Sequence, residues 1–328
     1  MYEPAENRYG EMEYRRCGQS GLVLSAVSLG CWHNFGGALT EDMEKLCFAA
    51  FDSGVTHFDL ADNYGPPPGS AEENLGRILK KDFAAHRDEL IVSSKAGYYM
   101  WPGPYGDWGG RKHLIAGLEQ SLRRLQLDYV DIFYHHRMDG DTPLEETMLA
   151  LNQIVRSGKA LYVGLSNYNG ETLRRAEAIL RELRCPFVIC QNRLSIFDRS
   201  AVSSGLLDAA RELGKGVICF SPLAQGTLTD RYLHGIPADS RAARDPRYLK
   251  ESDITPHKLE QIAALNALAL ARGESLAQMA LGWLLHQGVT SVIMGASKPE
   301  QIRQNVRAAK SAHFTQEELE EIDRISLN

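Results

Sequence analysis

Short apolar runs, each closed by a polar residue, alternate along this chain with segments whose apolar positions recur at helical spacing. The runs Val55 to Asp59, Leu90 to Lys95 and Tyr129 to His136 are the clearest. The pattern predicts strands at Ala26 to Leu29, His57 to Asp59, Leu90 to Lys95, Tyr129 to Tyr134, Ala160 to Ser166, Phe187 to Gln191, Gly216 to Phe220 and Ser291 to Gly295. Between them it predicts helices at Thr40 to Ser53, with Thr40 as N-cap, and at Ser70 to Leu79, Lys112 to Leu125, Pro143 to Ser157, Glu171 to Leu183 and Val202 to Leu213. Mostly apolar strands that alternate with helices imply a parallel sheet, and about eight such units imply closure into a (β/α)8 TIM barrel.

Two further pieces lie outside that count. The opening MEYRRCGQSGLVLS reads as a β-hairpin able to plug the barrel's base, and Thr315 to Leu327, where Thr315 and Glu318 form a capping box, reads as an extra C-terminal helix. Two long connections break the rhythm, Tyr98 to Gly110 after the third strand and Leu223 to Pro256 after the seventh. Long loops in compact domains are usually functional or disordered, and both of these follow strands, which assigns them to the rim where barrels carry their chemistry.

Composition narrows the function classes. With 328 residues, 44% hydrophobic and 24% charged, the chain fits one soluble barrel domain over 1–328, and no apolar stretch is long enough for a bilayer. A net charge of −6 with interspersed signs argues against a general nucleic-acid binder. The N-terminal segment carries acidic residues and no apolar run of signal-peptide type, so a cytoplasmic location is expected. Six cysteines form no C-x-x-C pair, and neither a zinc site nor a disulfide framework is expected.

Asp59, Tyr64, Lys95 and His136 sit at or just beyond the ends of successive strands, where a barrel rim would gather them. Singly each has an ordinary reading: Asp59 as a turn carboxylate, Tyr64 as a packed loop aromatic, Lys95 as half of a buried pair, His136 as a satisfied core histidine. Their joint placement is what points to chemistry. His135 and His136 alternate along a strand and so face opposite sides, which argues against a shared metal.

The segments LGCWHNFG, THFDLADNYGPPPGSAEENLG, VSSKAG, DYVDIFYHHRMD, GKALYVGLSNY, FSPLAQGTLTDRY and VIMGASKPEQIRQN together resemble the aldo-keto reductases over nearly the whole chain. Within that superfamily the likeness is nearest to the bacterial L-glyceraldehyde-3-phosphate reductase group, and more distant to the β-subunits of voltage-gated potassium channels. The resemblance implies NADPH bound on a TIM barrel, in keeping with the absence of a G-x-G-x-x-G after any strand. It implies a catalytic set of Asp59, Tyr64, Lys95 and His136, with Tyr64 as the proton donor, Lys95 stabilising the phenolate, Asp59 holding the lysine and His136 orienting the carbonyl. Of the adjacent histidines it selects His136.

For the cofactor the resemblance places Ser166, Asn167 and Gln191 at the carboxamide, Phe220 on the nicotinamide ring, and Ser221, Leu223, Gln225, Gly226 and Arg231 along the pyrophosphate. Gly295, Ser297, Gln301, Gln304 and Asn305 would cradle the adenosine 2′-phosphate and adenine, assisted by Ser240 and Arg241, while Trp32 and Asp59 border the same site. Trp32, Tyr64, Trp101 and Arg137 are the expected substrate contacts, with Arg111 or Lys112 as candidates for a substrate phosphate.

The implied activity is NADPH-dependent reduction of small aldehydes, L-glyceraldehyde 3-phosphate or methylglyoxal-like carbonyls, and a homo-oligomer is compatible with the resemblance. A nicotinamide-binding regulatory subunit of the channel type is the alternative, against which stands His136, where those subunits commonly carry asparagine. A barrel hydrolase or lyase using Asp59 or Asp62 as base is a third reading, disfavoured by the 2′-phosphate segment.

Overall fold

A computed structural model describes residues 2–327; Met1 and Asn328, the ends of the expected domain, lie outside the described residues. The hairpin pairs β1 (Tyr14–Arg16) antiparallel with β2 (Val23–Ser25). The chain then runs β3 (Val27–Gly30), α1 (Glu41–Asp52), β4 (His57–Asp59), α2 (Ser70–Asp82), β5 (Ile91–Ala96), α3 (Arg111–Leu125), β6 (Val130–His135), α4 (Leu144–Arg156), β7 (Ala160–Ser166) and α5 (Gly170–Glu182). It continues through β8 (Phe187–Arg193), α6 (Ser200–Ser203), α7 (Leu206–Glu212), β9 (Gly216–Phe220), α8 (Arg241–Arg244), α9 (Pro256–Ala271), α10 (Leu276–His286), β10 (Ser291–Met294), α11 (Pro299–Asn305) and α12 (Gln316–Ser326).

Strands β3 to β10 close into a parallel barrel in the order β10-β3-β4-β5-β6-β7-β8-β9. This is the expected TIM barrel, with each predicted strand present to within a residue or two. The extra C-terminal helix is α12, where the Thr315 side chain accepts from the Glu318 N–H and the Glu318 carboxylate accepts from the Thr315 N–H. Such a box satisfies two otherwise unpaired donors at a helix start.

Two apolar compartments hold the barrel. The larger lies between the outer strand faces and the helices, where residues such as Leu75, Leu118, Leu151, Leu180 and Leu284 are almost fully buried. Each such side chain contributes about 1.5–3 kcal/mol relative to exposure. The smaller fills the barrel's interior: Cys17, Leu22 and Leu24 of the hairpin pack on Ile132, Tyr134, Val188, Ile189, Ile218 and Ile293. The hairpin is therefore the plug that the opening pattern predicts.

One expectation is corrected, and two features go beyond what was expected. The single helix predicted for Val202 to Leu213 is broken into α6 and α7 at Gly205, which adopts a left-handed φ of 69°. The break lets the Ser204 carbonyl turn outwards to accept from the Gly170 N–H at 3.0 Å, docking the start of α5. The long connection from Leu223 to Pro256 carries short 3-10 turns and α8. Finally, α9 and α10 were not anticipated at all. The α10 stretch from Met279 to Leu285 is buried all round, so it offers no polar face for a period to show against.

Candidate active site

Asp59 ends β4 and Lys95 lies near the end of β5, two neighbouring strands in register. Both side chains are buried, and the Lys95 ammonium donates to Asp59 Oδ2 at 2.6 Å and to the Leu60 carbonyl at 2.5 Å. The other carboxylate oxygen, Oδ1, accepts from Ser93 Oγ at 2.8 Å and from Gln191 Nε2 at 2.9 Å. A buried ion pair is tolerable only when its remaining hydrogen-bonding capacity is met in this way.

Tyr64 reaches the same point from the loop before α2. Its carbonyl accepts from the N–H groups of Gly69 and Ala71, which fixes the loop to the helix start. Lys95 Nζ stands 4.8 Å from the Tyr64 ring centroid, the His136 ring is at 6.0 Å, and Trp32 stacks on the outer side at 5.5 Å. The structure thus brings all four residues together.

Electrostatics keep two of them neutral. Burial, reinforced by Asp59, Tyr98 and Asp62, holds the Tyr64 phenol well above its ordinary pKa, so it is protonated and able to donate. The expected lowering by Lys95 does not dominate, because the lysine's charge is already matched by Asp59. Burial, then the nearby Lys95 charge, holds His136 well below the usual imidazole range and therefore neutral. Burial also lowers Lys95, while Asp59 opposes it.

The adjacent histidines do face opposite ways. His135 Nδ1 hydrogen-bonds the Tyr168 hydroxyl at 2.7 Å among the outer helices, and burial lowers its pKa to about 3. His136 faces Tyr64 and Tyr98.

Sequence reasoning missed the layer beneath Asp59. Ser291 and Ser28 hydroxyls meet at 2.6 Å, Ser28 Oγ lies 2.9 Å from His57 Nδ1, and His57 Nε2 lies 2.9 Å from Ser93 Oγ. Burial lowers the His57 pKa to about 4, so the ring is neutral. A single proton order satisfies every member: Ser291 donates to Ser28, Ser28 to His57 Nδ1, His57 Nε2–H to Ser93, and Ser93 to Asp59. The signal was present, since Ser28, His57, Ser93 and Ser291 interrupt otherwise apolar strands, but only barrel closure shows that they meet.

Residues 26–327 match the model of the aldo/keto reductase family. The chain belongs to that family. It is 54% identical over 322 residues to the L-glyceraldehyde 3-phosphate reductase of Escherichia coli (strain K12), an alignment covering 97% of this chain and 93% of that protein. The enzyme of the same name from Escherichia coli O157:H7 is equally similar. A probable voltage-gated potassium channel subunit beta from Oryza sativa subsp. japonica is 37% identical over 302 residues, covering 90% of this chain and 91% of that one. This aldo/keto reductase is accordingly an oxidoreductase, of a family that generally uses NAD(P)H.

The residues expected around a dinucleotide fall into three groups in this aldo/keto reductase. At the barrel mouth, Ser166 and Gln191 are opposite each other in register and both buried, and Asn167, at a left-handed φ of 58°, donates to the His136 carbonyl at 2.9 Å. The half-buried Phe220 ring closes β9 beside the Arg193 guanidinium at 5.8 Å. Beyond it Gln225 donates to Ser221 Oγ at 3.0 Å and accepts from Arg241, and half-buried Leu223 and Gly226 flank it. Ser221 and Gln225 also hold positive φ values, the kind of local strain that collects at ligand sites.

Arg231 pairs with Asp239 at 2.5 Å. At the third group, the Gln301 side chain accepts from the Ser297 N–H at 2.8 Å, Gly295 and Gln304 are exposed, and Asn305 is turned inwards. A ring face, amides, strained backbone and arginines in that order fit a dinucleotide's chemistry.

Five expected contacts are placed elsewhere. Ser240 is fully buried and caps α8, so it does not reach that surface. Trp101 packs on the His113 ring at 4.9 Å. Arg137 is tied to Asp107 at 2.6 Å and to the Gly97 carbonyl at 2.8 Å. Arg111 runs along the outside of α4 to Gln153 at 2.7 Å, and Lys112 covers the Tyr105 ring at 4.6 Å, so neither is brought to the Tyr64–His136 pair. Each has a partner within the protein that sequence spacing did not reveal.

Proposed function

We propose that this aldo/keto reductase uses NADPH to reduce small aldehydes to alcohols, L-glyceraldehyde 3-phosphate and methylglyoxal-like carbonyls being the leading substrates. The observation that carries the reading is the buried Lys95–Asp59 pair directly under the protonated Tyr64 phenol, with neutral His136 alongside. Carbonyl reduction needs a proton at the oxygen as hydride arrives at carbon, and a neutral phenol beside an ammonium is suited to give it.

Bound on the surface from Asn167 to Asn305, NADPH would supply the hydride. Tyr64 donates the proton to the developing alkoxide; Lys95 stabilises the phenolate left behind; Asp59 keeps Lys95 charged and aimed; His136 hydrogen-bonds the carbonyl oxygen between the two donors. Phe220 and Gln191 would orient the nicotinamide, and Arg231 and Arg241 would answer the phosphate charge. Ser297, Gln301 and Gln304 are the groups offered to the 2′-phosphate that separates NADPH from NADH. We place this activity in one domain spanning 1–328 and in the cytoplasm, a setting that suits six buried unpaired thiols.

The test is loss of reduced-nicotinamide absorbance with a panel of short aldehydes, including both enantiomers of glyceraldehyde 3-phosphate, run beside a fluorescence titration of NADPH. Turnover with the L enantiomer ahead of other aldehydes is expected. Tight binding without turnover of any carbonyl would instead favour a regulatory subunit, the reading to which the rice relative's name points.

A further inference from the structure

We propose that Tyr98 is a specificity-determining residue whose hydroxyl hydrogen-bonds the hydroxyl group next to the reacting carbonyl, so that the site selects 2-hydroxyaldehydes over plain aldehydes. The inference rests on the reductase reading and names a residue which that reading does not use.

Tyr98 begins the long connection after β5. Gly97 before it takes a φ of 145°, and a Cβ there would stand 3.2 Å from His136 Cβ and 3.3 Å from the His136 nitrogen. That tight crossing of the end of β6 lays the Tyr98 ring edge-on against His136, with centroids 4.6 Å apart at 83°. The ring is then clamped from behind. The Arg137 guanidinium covers Tyr98 at 4.2 Å and Trp108 at 3.6 Å, while its nitrogens are spent on the Gly97 carbonyl and Asp107.

Among the described residues no protein group hydrogen-bonds the Tyr98 hydroxyl, although the ring is half-buried. It is near enough to Tyr64 to help raise that phenol's pKa. A held ring with an unengaged hydroxyl, beside the histidine that receives the carbonyl oxygen, is a donor and acceptor for the neighbouring substrate atom. A hydroxyl on the carbon next to the carbonyl is the substrate group that it would meet. The other aromatics of this connection do not compete: Tyr99 and Tyr105 face solvent, and Trp101 packs on His113. Arg137, expected as a substrate contact, acts instead as a positioning residue for Tyr98.

The experiment is steady-state kinetics with NADPH on wild type and Tyr98→Phe, using L-glyceraldehyde, which carries the hydroxyl, and propanal, which lacks it. The substitution removes one oxygen and keeps the stack. Expected is a fall of about tenfold in kcat/KM for L-glyceraldehyde, the size of one neutral hydrogen bond, with propanal changed less than about twofold. Arg137→Met should lower the same glyceraldehyde-to-propanal ratio, and add nothing to it in the Tyr98→Phe background. Equal losses on both aldehydes, or none on either, overturn the assignment. A wild-type chain that binds NADPH yet reduces neither aldehyde sinks the reductase reading and this inference together, whereas normal wild-type turnover with an unchanged ratio in Tyr98→Phe sinks this inference alone.

Discussion

Asp59 and Asp62 are three residues apart, both buried, and they live in opposite circumstances. Asp59 faces the barrel's interior, where Lys95, Ser93 and Gln191 engage its two oxygens. Asp62 faces the packed layer outside the barrel, where neither oxygen is hydrogen-bonded. Its neighbour there is Glu72, whose own carboxylate is taken by Arg124 at 2.7 Å and Ser94 at 2.5 Å. Burial, reinforced by the Glu72 charge, raises the Asp62 pKa well above the carboxylate range, against weaker help from the Arg124 charge. Burial alone therefore does not decide what a carboxylate does; its donors do. Asp59 is held by an ammonium and two further donors, whereas Asp62 is left to carry a proton, which also removes Asp62 as a base for a hydrolase.

The comparison can be broken most violently at Lys95. Lys95→Met should leave Asp59 as an uncompensated buried charge, lowering unfolding free energy in urea by about 3–5 kcal/mol and reductase turnover by about a thousandfold. Should the variant prove as stable as wild type, Asp59 is not the anion described. Tyr64→Phe touches the same cluster without disturbing the pair: kcat should drop at least about a hundredfold while the NADPH fluorescence titration is unaltered. Turnover near wild type in that variant would reassign the acid.

A smaller effect belongs to Ser93→Ala, which deprives Asp59 of one donor and His57 of its acceptor. We expect about 1–3 kcal/mol lost in chemical denaturation, together with a reduced kcat. The mildest change is opposite in sign. Asp62→Asn should stabilise the protein by about 1 kcal/mol at neutral pH.

The pH dependence follows from the direction of the shift. A carboxyl whose folded pKa is raised above its unfolded value of about 4 favours the folded state in acid, and that benefit is lost as pH rises through the folded pKa. The stability gap between Asp62→Asn and wild type should thus widen from pH 5 to pH 8, and a gap that stays constant would mean Asp62 does not titrate differently on folding.

What could be read in advance divides along the same line. The barrel was legible because each strand is a short apolar run with a polar end, so Asp59, Lys95 and the His135–His136 pair announced the rim. Strand alternation alone sent His135 and His136 to opposite sides; the family resemblance picked out His136 as the one at the site. Partners distant in sequence were not legible: Asp107 for Arg137 and Gln153 for Arg111 became visible only when helices and loops were packed, which is why both arginines looked available for substrate. The His57–Ser93 layer was hidden for the same reason, and α9 and α10 because alanine and leucine spread around a helix leave no face to read.

The hairpin stopper has a bearing on traffic. With Cys17, Leu22 and Leu24 seated in the barrel's floor, the fold is a cup with one doorway. On the proposed reading, whatever the cup converts departs across the same rim that admitted it, so residence of one visitor delays the next, and a lingering product competes with every newcomer for that threshold.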